Sequence, residues 1–242
     1  MKLKDQVFIV TGGGSGAGAA IVEGCVREGA RVVTMGRDET RLKAACAKAG
    51  DGAHPMAGDV RDRARVKEIV DWTLAEFGRV DVLVNNAGVN VVDRSLERLS
   101  PENWDLQMDV NATGAFNTLH EVLPIMRRQG DGLVIAISSV AGTAPGVLAG
   151  AAYSAAKHAM SVVTQTVNLE EAKHGIRASV ISPGEINTPI LDQRPVKVSD
   201  EHKARILQAE DIADVVIYVA ALPPRVVISE LVVKPLGQGS VE

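Results

Sequence analysis

The chain has 242 residues, enough to bury one full α/β core, and is read as a single domain spanning 1–242. Its composition is 46% hydrophobic but only 3% aromatic, so packing must rest on Val, Ile, Leu, Ala and Gly, which suits helices laid closely on a parallel sheet. A net charge of -4 gives no general attraction to nucleic acid or anionic membranes, and neither is expected as a partner.

Met1-Lys2-Leu3-Lys4-Asp5 runs straight into the apolar stretch 7–10, which is too short for a signal-peptide core. No later run approaches the ~18 apolar residues of a transmembrane helix, so a cytoplasmic protein is expected. Short β-branched runs at 7–10, 31–35, 80–85, 133–138, 178–182 and 226–233 predict strands. Segments of helical character separate them. Residues 16–29 are rich in Ala and Val, and 61–77 place Val66, Ile69, Val70 and Leu74 at helical spacing before Gly78 ends the run. Ser100-Pro101 supplies an N-cap and a first-turn proline for a helix running toward Asn111. Residues 153–174 form a long helix ended by Gly175, and 211–222 another stopped by Pro223-Pro224. Strands alternating with helices imply a doubly wound parallel sheet with helices on both faces. The stretch 188–200, with Pro189, Asp192, Arg194 and Pro195, has no periodicity and reads as a surface loop that could cover a site, the substrate loop as a whole being taken as about 185–200.

Cys25 and Cys46 each fall within a predicted helix and form no CxxC pair. The five histidines, His54, His120, His158, His174 and His202, are scattered with no HExxH, so no metal is expected. A GxSxG elbow is also absent.

After the first strand comes Thr11-Gly12-Gly13-Gly14-Ser15-Gly16-Ala17-Gly18, opening an Ala-rich helix. Glycines here permit a tight turn and let backbone N–H groups approach a pyrophosphate at the positive end of a helix. The spacing fits TGxxxGxG and neither a P-loop nor strict GxGxxG; a plain flexible turn is the alternative. Tyr153-Ser154-Ala155-Ala156-Lys157 puts a phenol and an ammonium on one helical face. A free phenol titrates near ~10, too high for proton exchange at neutrality, and a nearby cation favours the phenolate. The competing reading is an ordinary surface pairing. Ser139 follows the strand 133–138 and so lies at a strand's C-terminal end, where such sheets place ligands and where a hydroxyl can donate to a developing alkoxide. The second strand ends Thr34-Met35-Gly36-Arg37, without the carboxylate that NAD-binding units carry about 20 residues past the glycines. Arg37 suits a 2'-phosphate, which favours NADP(H). The alternative is that Arg37 is a solvated charge and Asp38 turns inward to bind NAD(H).

In order and spacing these motifs resemble the short-chain dehydrogenase/reductase family, NAD(P)-binding oxidoreductases of Rossmann fold, across nearly the whole chain. Asn85-Asn86-Ala87-Gly88 resembles its NNAG motif and Asp59-Val60 its adenine-contacting pair. Pro183-Gly184, with Ile186 and Thr188, resembles its PGxxxT segment beside the nicotinamide carboxamide. The resemblance implies that Gly12, Gly14, Ser15, Gly16, Ala17, Gly18, Arg37, Asn86, Ala87 and Gly88 also border the cofactor. It implies that Ser139 holds the substrate oxygen, Tyr153 protonates or deprotonates it, and Lys157 lowers the Tyr pKa and binds the nicotinamide ribose. Asn111, in Asn111-Ala112-Thr113-Gly114, matches NxxG and would hold a relay water; a polar residue at a helix kink is the alternative. Ser138 competes with Ser139, and the Ser-to-Tyr spacing is one residue longer than usual in the family.

The substrate, a small alcohol or carbonyl compound, would meet Val89, Asn90, Val91, 145–148 and 185–194. Glu185 either faces it and disfavours anions or points to solvent. Residues 228–235 lack the family's frequent VDGG ending. Association through 111–126 and 153–174 into homodimers or homotetramers is implied. The competing functions are an NAD-dependent alcohol dehydrogenase of the same fold, a sugar-nucleotide epimerase or dehydratase, and a non-catalytic dinucleotide sensor. The epimerase reading calls for TGxxGxxG and an added domain, and sensors typically lose the Tyr or the Lys.

Overall fold

A computed structural model describes residues 1–236 of the protein; residues 237–242 of the expected domain lie outside the described residues. In chain order the elements are β1 (Val7–Thr11), α1 (Gly16–Arg27), β2 (Arg31–Gly36), α2 (Glu39–Ala49), β3 (Ala53–Ala57), α3 (Arg63–Phe77) and β4 (Val82–Asn85). There follow α4 (Pro101–Met108), α5 (Gly114–Gln129), β5 (Gly132–Ile137), α6 (Ala151–Glu170), β6 (Ile176–Pro183), α7 (Asp200–Arg205), α8 (Ala209–Ala220) and β7 (Glu230–Val233). The strands form one parallel sheet in the order β3-β2-β1-β4-β5-β6-β7, the Rossmann arrangement expected from the sequence.

Side-chain alternation along the strands divides the core in two. Phe8, Val10, Val82, Val84, Leu133 and Ile135 face α1 and α8, where they meet Ile21, Val22, Cys25, Ile212 and Val216. Ile9, Leu83 and Val134 point the other way, onto Val66, Ile69 and Val70 of α3 and Leu119, Val122 and Met126 of α5. Because both faces are covered, β1, β4, β5 and β6 are buried along their whole length. The chain winds outward from β1 through β2 to β3, then crosses back to place β4 on the other side of β1. That reversal opens a crevice beyond the carboxyl ends of β1 and β4.

Local signals set the helix ends. Asp38, Asp62 and Ser100 cap α2, α3 and α4 by accepting from Arg41, Arg65 and Asn103 backbone N–H groups. Gly78, Gly130 and Gly175 close helical segments in the left-handed region.

The structure departs from the sequence reading in four places. It adds β3, whose Ala53-His54-Pro55-Met56-Ala57 lacks β-branched residues; as an edge strand it tolerates Pro55. It adds α7, which begins at Asp200, the last residue of the expected loop. The strand expected over 226–233 is paired only over Glu230–Val233. The last long helix starts at Ala209 rather than 211 because Gln208 and Asp211 form a reciprocal capping box. No described helix is long and apolar enough to cross a membrane.

Candidate active site

The crevice over the sheet's reversal is a cleft of about 730 Å³, in the usual range for a small-molecule or cofactor site. The glycine loop forms its floor at one end. Gly12 bends with φ 73, and a Cβ at Gly18 would collide with the Gly12 carbonyl and the Asn86 side chain. No side chain caps α1, whose N-terminus faces the cleft beside Ser15. Uncapped N–H groups at the positive end of a helix, with no Cβ in the way, fit a pyrophosphate.

The loop is locked to β4. Thr11 Oγ1 accepts from the backbone N–H of Asn86 (3.0 Å) and Ala87 (2.9 Å), and Asn86 Nδ2 donates back to the Thr11 carbonyl (2.9 Å). Asn85 instead faces inward, donating to the Ala115 carbonyl at 3.1 Å and accepting from Thr118 Oγ1 at 2.6 Å. Gly88 approaches both Asn111 and Lys157 closely.

At the outer end of the cleft lie Arg37, Asp59 and Val60. Arg61 chelates the Asp59 carboxylate (Nη2–Oδ2 2.6 Å) and holds its pKa below the ordinary range, with a smaller contribution from Arg37. Arg41, which the sequence reading passed over, joins them on the wall. Its signal was present: with Asp38 capping α2, the first turn of that helix brings Arg41 to the same edge as Arg37. Asp38 is engaged at both oxygens, Oδ1 accepting from Arg41 N (3.0 Å) and Oδ2 pairing with Arg41 Nε (3.2 Å).

The far end carries Tyr153 and Lys157, which α6 presents to the cleft from successive turns. Lys157 is 3% exposed; its Nζ donates to the Ile137 carbonyl at 2.8 Å and sits 5.8 Å from the centre of the Tyr153 ring. Burial lowers the ammonium to about 8 and pushes the phenol up to about 12, while the neighbouring Ser139 hydroxyl and the Arg94 charge pull the phenol down. Arg94, which the sequence reading does not single out, is a further cation whose charge favours the phenolate.

Ser138 lines the cleft, with its Oγ engaged by Ser161 Oγ (2.8 Å) and the Lys157 carbonyl (3.2 Å), whereas Ser139, half-buried, caps a 3-10 turn (Val140–Gly142), its Oγ accepting from Ala141 N at 3.1 Å. Asn111 lies in a π-helical turn (Asp109–Thr113) joining α4 to α5. Its amide makes three hydrogen bonds, Oδ1 accepting from Val89 N (2.9 Å) and Nδ2 donating to the Val89 (2.9 Å) and Gln107 (2.8 Å) carbonyls. Asn111 thereby ties Val89, on the cleft wall, to α4.

Of the expected cofactor residues, the glycine-loop set, Asn86, Ala87, Gly88, Ile186 and Thr188 line the cleft, and Thr188 packs against Gly16. Pro183 and Gly184 sit one layer back, where the Gly184 N–H donates to the Val233 carbonyl at 2.7 Å. Val89, Asn90 and a 3-10 turn (Pro189–Gln193) complete the wall, whereas Val147 is fully exposed. Glu185 takes neither of its two expected roles: its Oε2 binds Arg194 (3.2 Å) and His202 (2.6 Å), tying the loop to α7. Among the described residues no group of three or more His, Cys, Asp or Glu could hold a metal.

The family profile described as short chain dehydrogenase matches residues 6–198. An uncharacterized oxidoreductase of Staphylococcus saprophyticus is 35% identical over 243 residues, covering 98% of this chain and all of the relative. A metagenomic short-chain oxidoreductase solved in complex with NADP is 33% identical with a TM-score of 0.83, the match covering 97% of this chain and 99% of that one. A 3-ketoacyl-(acyl-carrier-protein) reductase from Brucella melitensis, solved with NADH, is 27% identical with a TM-score of 0.87, covering 96% and 98%.

Proposed function

The chain belongs to the short-chain dehydrogenase family of oxidoreductases, and we propose that it moves hydride between NADP(H) and a secondary alcohol or its carbonyl, with Tyr153 as general acid–base. The observation that carries this reading is the placement of Tyr153 and Lys157, one helical turn apart on α6, in one cleft with the glycine loop at its opposite end. Bound nicotinamide dinucleotide supplies the hydride donor or acceptor.

The residues of this chain do the rest. Ser139 Oγ orients the substrate oxygen, and Tyr153 Oη gives it a proton during reduction or removes one during oxidation. Buried against the Ile137 carbonyl, Lys157 holds a cation at the inner end of the cleft, where its remaining donors reach a ribose. A phenol held near 12 favours the acid role until a positive charge enters beside it. Oxidation therefore speeds up with rising pH and reduction slows.

The preference for NADP(H) is supported by the exposed Arg37, with Arg41 beside it, and by the engagement of Asp38 with Arg41, which leaves that carboxylate poorly placed for a ribose hydroxyl. Exposed Phe116 on α5 and Val162 and Leu169 on α6 support association of copies through these helices into a homodimer or homotetramer. A cytoplasmic, single-domain enzyme completes the proposal.

The test is NADPH oxidation, followed at the nicotinamide absorbance, across a panel of ketones, aldehydes and keto acids. Turnover that vanishes in Tyr153→Phe supports the reading. Tight NADPH binding with no turnover of any member replaces it with the dinucleotide-sensor reading.

A further inference from the structure

We propose that Arg94 is a positioning residue of this site, a buried cation that fastens the loop over the cleft to two fixed loops and sets its charge beside Tyr153. Arg94 lies between β4 and α4 and is only 7% exposed. Its Nε donates to the Val91 carbonyl (2.7 Å), Nη1 to the Leu148 carbonyl (3.1 Å) and Nη2 to the Gln193 carbonyl. These carbonyls belong to three different segments. Val91 follows the strand β4, Leu148 precedes α6, and Gln193 ends the 3-10 turn that closes the cleft wall.

Arg94 also packs against the start of the helix that carries Tyr153. Gly150, the N-cap of α6, holds φ 83, and a Cβ there would come within 2.7 Å of the Arg94 carbonyl and 2.8 Å of its Cβ. Arg94 therefore touches the start of the helix through its backbone and Cβ and the covering loop through its guanidinium. A cation removed from water is costly unless something uses it, and its bonds here go to carbonyls rather than to a carboxylate that would neutralise it. The charge thus stays available to its neighbours, and Tyr153 is among them. Arg194, on the covering loop, is the other cation within its field; that residue is paired with Glu185, which also binds His202.

The fork of an arginine is needed for the fastening, because one ammonium cannot aim at three carbonyls in separate directions. Only a charge is needed for the effect on the phenol. The two roles therefore separate in two variants: Arg94→Lys keeps the charge and loses the fork, and Arg94→Met loses both but keeps the length of the side chain.

The inference rests on Tyr153 being the acid–base, yet it can be tested without any substrate. The chain has two tyrosines, so 3,5-difluorotyrosine labelling gives two fluorine resonances, and Tyr218→Phe assigns them. The ring fluorines draw the phenol titration down from the alkaline range that threatens the fold. The fluorine midpoint of Tyr153 is expected to lie about one pH unit higher in Arg94→Met than in Arg94→Lys, the scale of one neighbouring charge. Amide exchange over 186–195 is expected to be faster in both variants than in the parent. A purely structural Arg94 would loosen the site and admit water, which lowers the phenol and leaves the two variants alike. A midpoint in Arg94→Met equal to or below that of Arg94→Lys overturns the proposal, as does parent-like exchange over 186–195 in both variants. Either result leaves the acid–base reading of Tyr153 intact, and failure of the turnover panel would leave these two readouts unaffected.

Discussion

Asn111→Asp tests whether the π-helical turn braces the cleft, because the substitution keeps the shape of the side chain and reverses one half of its polarity. Asn111 is fully buried and uses its amide in three bonds, one accepted from Val89 N and two donated to the Val89 and Gln107 carbonyls. The carboxylate retains the first. It loses both donated bonds and turns an oxygen toward two carbonyl oxygens. Two stranded acceptors at about 1–3 kcal/mol each, with a buried charge that must be neutralised, give a loss of roughly 3–5 kcal/mol. At roughly 2–4 °C per kcal/mol for a chain of this size, Tm should fall by about 6–20 °C. Asn111→Ala leaves those two carbonyls and the Val89 N–H unpaired but adds no charge, so it separates the lost bonds from the buried charge. Thermal unfolding followed by circular dichroism at pH 7 measures both. An Asn111→Asp protein that melts within about 2 °C of the parent, a shift of less than ~1 kcal/mol, would refute the brace.

Three further outcomes are expected. Gly18→Ala forces a methyl onto the Gly12 carbonyl and the Asn86 amide, so NADPH affinity should drop about tenfold or more while unfolding stays cooperative; unchanged affinity in a fluorescence titration counts against the pyrophosphate cradle. In Arg37→Asp the ratio of KM for NADPH to KM for NADH should rise by about tenfold or more, and an unchanged ratio would end the 2'-phosphate assignment. Glu171, 4% exposed, accepts from Arg127 at 2.7 and 2.5 Å, and those bonds hold its carboxyl below the ordinary value. Its folded pKa is depressed, so its stabilisation is present above the unfolded value of about 4.3 and lost as pH falls through the folded one. Glu171→Gln should therefore be less stable than the parent at pH 6 by a margin that narrows at pH 3; a constant margin argues against the pair.

Most of the sheet is legible in the chain because its central strands are buried on both faces and read as β-branched runs: 7–10, 31–35 and 133–138 each fall within a residue or so of β1, β2 and β5. The edge strands are read less well: β3, paired with only one neighbour, lacks β-branched residues and is missed, while half-exposed β7 is found within 226–233 but with its start placed too early. The cleft follows the same division. The glycine loop and the Tyr153–Lys157 pair are local in sequence and could be read as motifs. Arg94 could not, since its partners are carbonyls at 91, 148 and 193, and backbone acceptors leave no mark on side-chain identity. The engagement of Glu185 with Arg194 and His202 was hidden for a related reason: it depends on α7, a helix of six residues with too short a pattern to read.

The central claim is that one phenol moves the proton. It is tested most directly by comparing Tyr153→Phe with the parent, using the best carbonyl substrate of the panel and measuring NADPH affinity on the same samples. The account predicts that kcat falls by about 10²–10⁴, the range for loss of a positioned acid–base, while NADPH affinity and Tm stay close to those of the parent. Turnover at the parent's rate by Tyr153→Phe would contradict it.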